Sequence, residues 1–304
     1  MDFRVYGLDK SKFRECNMKT LVCVIGQIRL PEVTWERFNK YVLDALGADL
    51  ALCIHKGSHD EKVTPYHENA KYIFECRESS PCWSRKFDEM NPGWRNLVDI
   101  PGDWIAPICE PIQRPGSGGL LVYLRWFLYQ NLKEEYDRVI VTRSDWVWTS
   151  PHPTLDNDHI WIPNAEFHGG VCDRHCVIPS RFVKDVLTIG HMENPEQTGE
   201  HMRRMLMERL SQGWGHFLFN DETFVFVRLC ERKLIEHVGF FPLCAFIAGK
   251  NDVGIFARYP DELESSRDTV TWPFYFDHKF ISKNGMFCGK VYALPGHLKN
   301  PDVK

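Results

Sequence analysis

Three short apolar runs limit what this chain can fold into: "TLVCVIG" at Thr20–Gly26, "LALCIH" at Leu50–His55 and "VIVT" at Val139–Thr142. A strand with one wet face alternates apolar and polar residues. A strand covered on both faces reads as a continuous apolar run, as these do. The first two are separated by the polar loop "QIRLPE" and a helical pattern over Val33–Leu46, and the third follows a helical pattern over Leu120–Leu132. Strands alternating with helices make parallel pairs. The expectation is one α/β domain with a mixed, mostly parallel central sheet flanked by helices and an irregular C-terminal half. No repeat or Gly/Ser linker divides the chain, so residues 19–304 are read as that domain and 1–18 as an N-terminal extension. Residues Glu61–Arg114, rich in Pro, Trp and charge, read as irregular structure.

Composition removes several classes of function. A net charge of −4, from 37 Lys+Arg against 41 Asp+Glu, gives no global attraction to nucleic acid or anionic membrane, so an anionic ligand needs a local basic site. No run approaches the ~20 apolar residues of a membrane span. The N-terminus "MDFRVYGLDKSKFRECN" is too charged for a secretory signal. The 11 cysteines are odd in number and scattered, and Cys23 and Cys53 lie inside the strand runs, where a free thiol packs as a small hydrophobe. A reduced, cytoplasmic protein is expected. There is no G-x-G-x-x-G and no G-x-x-x-x-G-K-[ST], which speaks against a dinucleotide site or a P-loop.

The third run ends abruptly in charge: "VIVTRSDWVW" places Arg143, Ser144 and Asp145 directly after it. In open α/β sheets ligands bind beyond the carboxyl ends of the strands. "GQIR", with Gly26, Gln27 and Arg29, and "HKGS" occupy the same place after the first two runs, so three polar clusters are expected to converge on one crevice. The plainer reading is a local Arg143–Asp145 ion pair capping the strand.

The wider window, "GSGGLLVYLRWFLYQNLKEEYDRVIVTRSDWVW" at Gly116–Trp148, resembles a stretch of the GT-A nucleotide-sugar glycosyltransferases. In several of those families a Ser- or Gly-containing turn opens a helix carrying an aromatic and an arginine two residues apart, here Tyr123 and Arg125. A "YD-(K/R)-V" step follows, here Tyr136–Val139, and then a strand ending in Asp-x-Asp. The resemblance implies a Rossmann-like GT-A domain and a glycosyltransferase that moves a sugar from a nucleotide-sugar donor, a UDP-sugar first, to a hydroxyl of a glycan. It implies that Arg125 faces the donor and that Asp145 is the last aspartate of the motif. Where the family has its first aspartate, this chain has Arg143. Either Asp145 still holds Mg²⁺ or Mn²⁺, with His297 of "PGHLKNP" as a second ligand, or Arg143 meets the diphosphate through its own N–H donors.

Two further segments carry candidates. In "FHGGVCDRHCVIP", Gly169, Gly170 and Asp173 stand where the resembling fold touches donor and acceptor. A zinc site from His168, Cys172, His175 and Cys176 is the rival, although these ligands are crowded for one tetrahedral centre. In "GHFLFNDETFVF", Asp221 and Glu222 at a helix start are candidates for the base that deprotonates an acceptor, against the plain role of helix cap. A GT-A-like sugar nucleotidyltransferase and a non-catalytic carbohydrate-binding protein are the alternatives to transfer.

Overall fold

The computed structural model describes residues 18–55, 63–76, 80–106, 108, 117–164, 169–213, 218–241, 245–251, 254–256 and 270–271. The chain opens with β1 (Thr20–Ile25), α1 (Pro31–Phe38), a π-helical stretch (Asn39–Leu43) and α2 (Asp44–Leu46), then β2 (Asp49–His55). Next come α3 (Pro65–Asn69), β3 (Tyr72–Cys76), α4 (Ser80–Met90), α5 (Gly118–Asn131), β4 (Arg138–Thr142) and β5 (Trp146–Trp148). They are followed by β6 (Ile160–Pro163), β7 (Cys176–Pro179), α6 (Val183–Leu187), α7 (Pro195–Ser211), α8 (Asp221–Glu231), β8 (Val238–Phe241) and β9 (Ala245–Asn251). The short strands β10 (Gly254–Phe256) and β11 (Val270–Thr271) close the described chain.

Seven strands form one sheet in the order β3-β2-β1-β4-β7-β6-β8. β3, β2, β1 and β4 are mutually parallel, β7 runs against both β4 and β6, and β8 is again parallel to β6. The sheet is therefore mixed and mostly parallel, with helices on both faces, as the three apolar runs require. Every residue of β1 and β4 is buried. One face packs a core that includes Leu21, Cys23, Val139 and Val141 under α4, α5 and α8. The other packs Val22, Val24, Ile140, Trp146 and Trp148 under α1 and α3. Trp94, Trp104, Trp146 and Trp148 are all essentially inaccessible, so these tryptophans are core rather than stacking surfaces. No described helix is long and apolar enough to cross a membrane.

Between Glu61 and Arg114 the chain is more regular than expected. It contributes α3, the parallel strand β3 and α4. β3 is the sheet's edge strand; Ile73 is exposed and most of its neighbours are half-buried, so it has no continuous apolar run to betray it. Helix α7 starts with Pro195 in its first turn, and the Asn194 side chain accepts from the Gln197 N–H at 3.2 Å, both ordinary helix-start signals.

Beneath the end of β4 lies a buried pair of histidines. His152 Nε2 meets His175 Nε2 at 3.2 Å, His152 Nδ1 meets the Pro153 carbonyl at 2.9 Å, and His175 Nδ1 meets Thr142 Oγ1 at 3.0 Å. One neutral assignment satisfies all of them: His152 donates to Pro153, His175 donates to His152, and Thr142 donates to His175. Burial favours the neutral rings, pushing His152 down to about 4, with the Arg138 charge adding to it, and His175 well below its usual value, with His152 adding to that shift. The folded pKa values are lowered, so on acidification the unfolded chain takes up protons first. The stability tied to the neutral pair is complete above about pH 6.5 and is lost as pH falls from there toward 4, at up to about 1.4 kcal/mol per pH unit for each histidine. Urea unfolding between pH 7 and pH 5 is expected to show this loss; a flat profile would mean the rings are charged or wet.

Candidate functional site

The carboxyl ends of β1 and β4 are adjacent in the sheet, and the chain leaves them toward opposite sides: β1 leads to β2, whereas β4 leads toward β7. Such a switch point is where an open α/β sheet leaves a crevice. Two loops meet there. The Arg29 N–H donates to Ser144 Oγ at 2.8 Å, and Ser144 Oγ donates to the Gln27 carbonyl at 3.1 Å. Tyr66 from α3 donates to the Ser144 carbonyl at 3.4 Å and also meets Thr34 Oγ1 at 3.0 Å. Gly26 has φ +90, a conformation that favours glycine, and its N–H donates to the Cys53 carbonyl at 3.0 Å, turning the chain out of β1. Leu30, next to Arg29, is held with φ 48, a strained position for a branched side chain. Ser144 and Tyr66 were not singled out from the sequence. The serine between two charged residues carried no distinctive signal, and Tyr66 arrives from a separate helix.

Asp145 is buried, and two guanidiniums grip it. Arg143 Nε meets Oδ1 at 3.0 Å and Nη2 meets Oδ2 at 2.6 Å, a two-pronged pair; Arg29 Nη1 lies 3.8 Å from Oδ2. A divalent cation seeks several oxygen ligands, at about 2.0–2.1 Å for Mg²⁺. At Asp145 it would have to displace Arg143 and sit beside two positive charges. Among the described residues, no group of three or more His, Cys, Asp or Glu side chains is placed to hold a metal ion. His297 lies outside the described residues. The residues present do not fit Mg²⁺ or Mn²⁺ at Asp145. The zinc rival fares no better at His175, whose ring nitrogens both face protein partners; His168 also lies outside the described residues.

The loop before β7 brings in the second half of the cluster. β7 is antiparallel to β4 with Val141 opposite Cys176, so residues 173–175 fall beside the end of β4. Asp173 is buried there. Burial disfavours its charge, but the guanidiniums of Arg174 and Arg125, a hydrogen bond from Asp221 and the nearby Arg143 outweigh that and hold its pKa below the ordinary value. Asp221 moves the opposite way: burial and the Asp173 charge push it well above the ordinary carboxylate range, with Arg125 offsetting part of the shift. Neither Asp221 oxygen has an N–H or O–H donor among the described residues. Two acids of one type are thus shifted in opposite directions by their surroundings.

Helix α8 starts at this pair. Asn220 caps it, its side chain accepting from the Thr223 N–H at 2.9 Å while its own N–H donates to Thr223 Oγ1 at 3.0 Å. The cap is therefore Asn220, and Asp221 and Glu222 are not needed for capping. Arg174 Nη2 lies 4.0 Å from Glu222 Oε1, and Arg174 Nε 3.8 Å from Asp173 Oδ1. Arg174, which the sequence reading passed over, joins both acids.

Four of the expected residues, Arg125, Gly169, Gly170 and Asp221, are buried against protein partners. Arg125 does not face the crevice; only 3 % of it is exposed, and its Nη2 donates to the Asp173 carbonyl from below. An arginine pointed by α5 into the sheet's carboxyl end is more useful as a brace for buried carboxyls than as a donor contact. Gly169 and Gly170 permit a close approach of chain to chain rather than of chain to ligand. The Gly169 carbonyl accepts from Arg209 Nη2 at 3.2 Å, and a Cβ on Gly170 would collide with the Glu222 carbonyl. Asp221 is 5 % exposed, and burial together with the Asp173 charge raises its pKa. Arg29, Arg143, Asp145 and Asp173 are brought together at the switch point with Gly26 and Gln27 behind them, and Glu222 joins through Arg174. His55 ends β2, but the rest of "HKGS" lies outside the described residues.

No family model matches this chain, and no curated protein matches it. Among solved structures it is similar to the crystal structure of mouse xyloside xylosyltransferase 1 in its apo form, at 10 % identity over 74 % of this chain and 84 % of that one, with a TM-score of 0.39. A likeness at that level carries no functional weight.

Proposed function

We propose that this protein is a GT-A-type glycosyltransferase, transferring a sugar from a nucleotide-sugar donor, a UDP-sugar first, to a hydroxyl of a glycan or similar acceptor. The observation that supports this reading is the meeting of Arg29, Arg143, Asp145 and Asp173 at the switch point of a sheet whose first four strands run parallel in the order β3-β2-β1-β4. A nucleoside diphosphate needs cationic N–H donors there, and the overall charge of −4 means they must be local. The sugar then falls toward the β7 loop and the start of α8. Of the two acids on α8, Asp221 is the one whose pKa burial and the Asp173 charge push up, so we assign Glu222, paired with Arg174, as the group that accepts the acceptor's proton in an inverting reaction.

The test is a thermal-shift panel of nucleotides and nucleotide sugars, followed by incubation with glycan acceptors. One nucleotide sugar is expected to stabilise the protein, by about 2.7 kcal/mol at ~100 times its dissociation constant, and to release its nucleoside diphosphate when an acceptor is present. Pyrophosphate release from a nucleoside triphosphate and a sugar phosphate would instead identify a nucleotidyltransferase. Stabilisation by glycans with none by any nucleotide would identify a carbohydrate-binding protein.

A further inference from the structure

The Arg-Ser-Asp sequence could have kept a weakened cation site or changed the site's sign, and the geometry points to the second. We infer that Asp145 is a positioning residue that holds Arg143 and Arg29 side by side as a clamp for a diphosphate, and that the clamp binds its anion without a divalent cation. The inference rests on the nucleotide-sugar reading above.

Arg143 uses Nε and Nη2 on Asp145, which fixes the plane of its guanidinium, and Nη1 has no partner among the described residues. The Arg143 side chain is 17 % exposed, so its free edge reaches solvent. Arg29 is 52 % exposed; its only side-chain ion pair among the described residues is the 3.8 Å approach to Asp145, which leaves most of its donor fork open. Its backbone is fixed by Ser144, so the two guanidiniums are set by the same three-residue turn. One carboxylate between two guanidiniums leaves a single net positive charge directed at the crevice. Asp173 has its own cations, with Arg174 Nε 3.8 Å from Oδ1 and Arg125 on its carbonyl. A buried carboxylate already satisfied by a two-pronged arginine has little to offer a metal, whereas planar N–H pairs match phosphate oxygens. No bond is made or broken by the clamp. It neutralises the diphosphate, including the charge that grows on it as the sugar departs.

The experiment is calorimetric titration of UDP, GDP and dTDP into the protein in EDTA and in Mn²⁺, repeated with Arg29→Ala and Arg143→Gln. The nucleotide that binds is expected to have a dissociation constant in EDTA within about threefold of that in Mn²⁺. Each substitution should weaken binding in EDTA by about ten- to a hundredfold, since each removes hydrogen bonds to a charged group. If Arg143→Gln does not fold, Arg29→Ala decides alone, because its side chain is half exposed and braces nothing buried but Asp145. Binding that appears only with Mn²⁺, with Arg29→Ala equal to wild type, overturns the clamp and leaves the glycosyltransferase reading standing. No binding of any nucleotide under either condition overturns both.

Discussion

Arg125→Met is expected to cost about 3–5 kcal/mol of folding stability, the range for removing one partner from a buried charged group. The arginine is almost wholly buried, its Nη2 donates to the Asp173 carbonyl, and its charge lies near both Asp173 and Asp221. Methionine fills similar space but leaves a buried carbonyl without its donor and Asp173 with less positive charge to hold it ionised. Urea unfolding should show the loss, and the reporter for its cause is Asp173, whose carboxyl should titrate at higher pH in the variant. Asp221→Asn is the internal control. It keeps a neutral donor against Asp173 and should lose under about 1 kcal/mol. Should Arg125→Met unfold like wild type while nucleotide binding disappears, Arg125 would be a donor contact after all and the bracing role would be lost.

Gly170→Ala should be of similar severity for a different reason. A methyl group at this position meets the Glu222 carbonyl and the Thr223 nitrogen well inside van der Waals contact. Those atoms are backbone in the first turn of α8, so no side chain can rotate out of the way. The Val171 N–H also donates to the Glu222 carbonyl at 3.1 Å, which ties the same two segments together. The loop or the helix start must move, at a cost of about 3 kcal/mol or more. Such a movement pulls Asp221 away from Asp173 and Glu222 from Arg174. Sugar transfer should therefore fall further than stability does when both are measured at a temperature where the variant is folded. A variant with wild-type melting would place the glycine loop farther from α8 than it is here.

Much of the sheet could be read from the chain because burial on both faces leaves a plain mark. β1, β2 and β4 are continuous apolar runs, and each is covered on both faces. The edge strand β3 was missed for the converse reason: with one side open, Tyr72–Cys76 needs no apolar run and carries Glu75. The polar turn after β4 was equally legible, since Arg143, Ser144 and Asp145 interrupt a buried strand where no core packing calls for charge. Local sequence even contained the plainer reading of that turn, because Arg143 and Asp145, two residues apart, do pair with each other.

By itself, then, the sequence determined an α/β sheet of buried parallel strands and a charged turn at the end of one of them. Both are local consequences of which side chains water excludes. The tertiary structure decided what the charges mean. Arg29 reaches Asp145 only because β1 lies beside β4, and it thereby joins the pair that Asp145 makes with Arg143. Asp173 and Asp221 are far apart in the chain and meet because β7 runs back along β4 and α8 docks on Gly170. The opposite shifts of their carboxyls follow from shared burial and from which guanidiniums lie near, and neither is encoded in the residues one at a time.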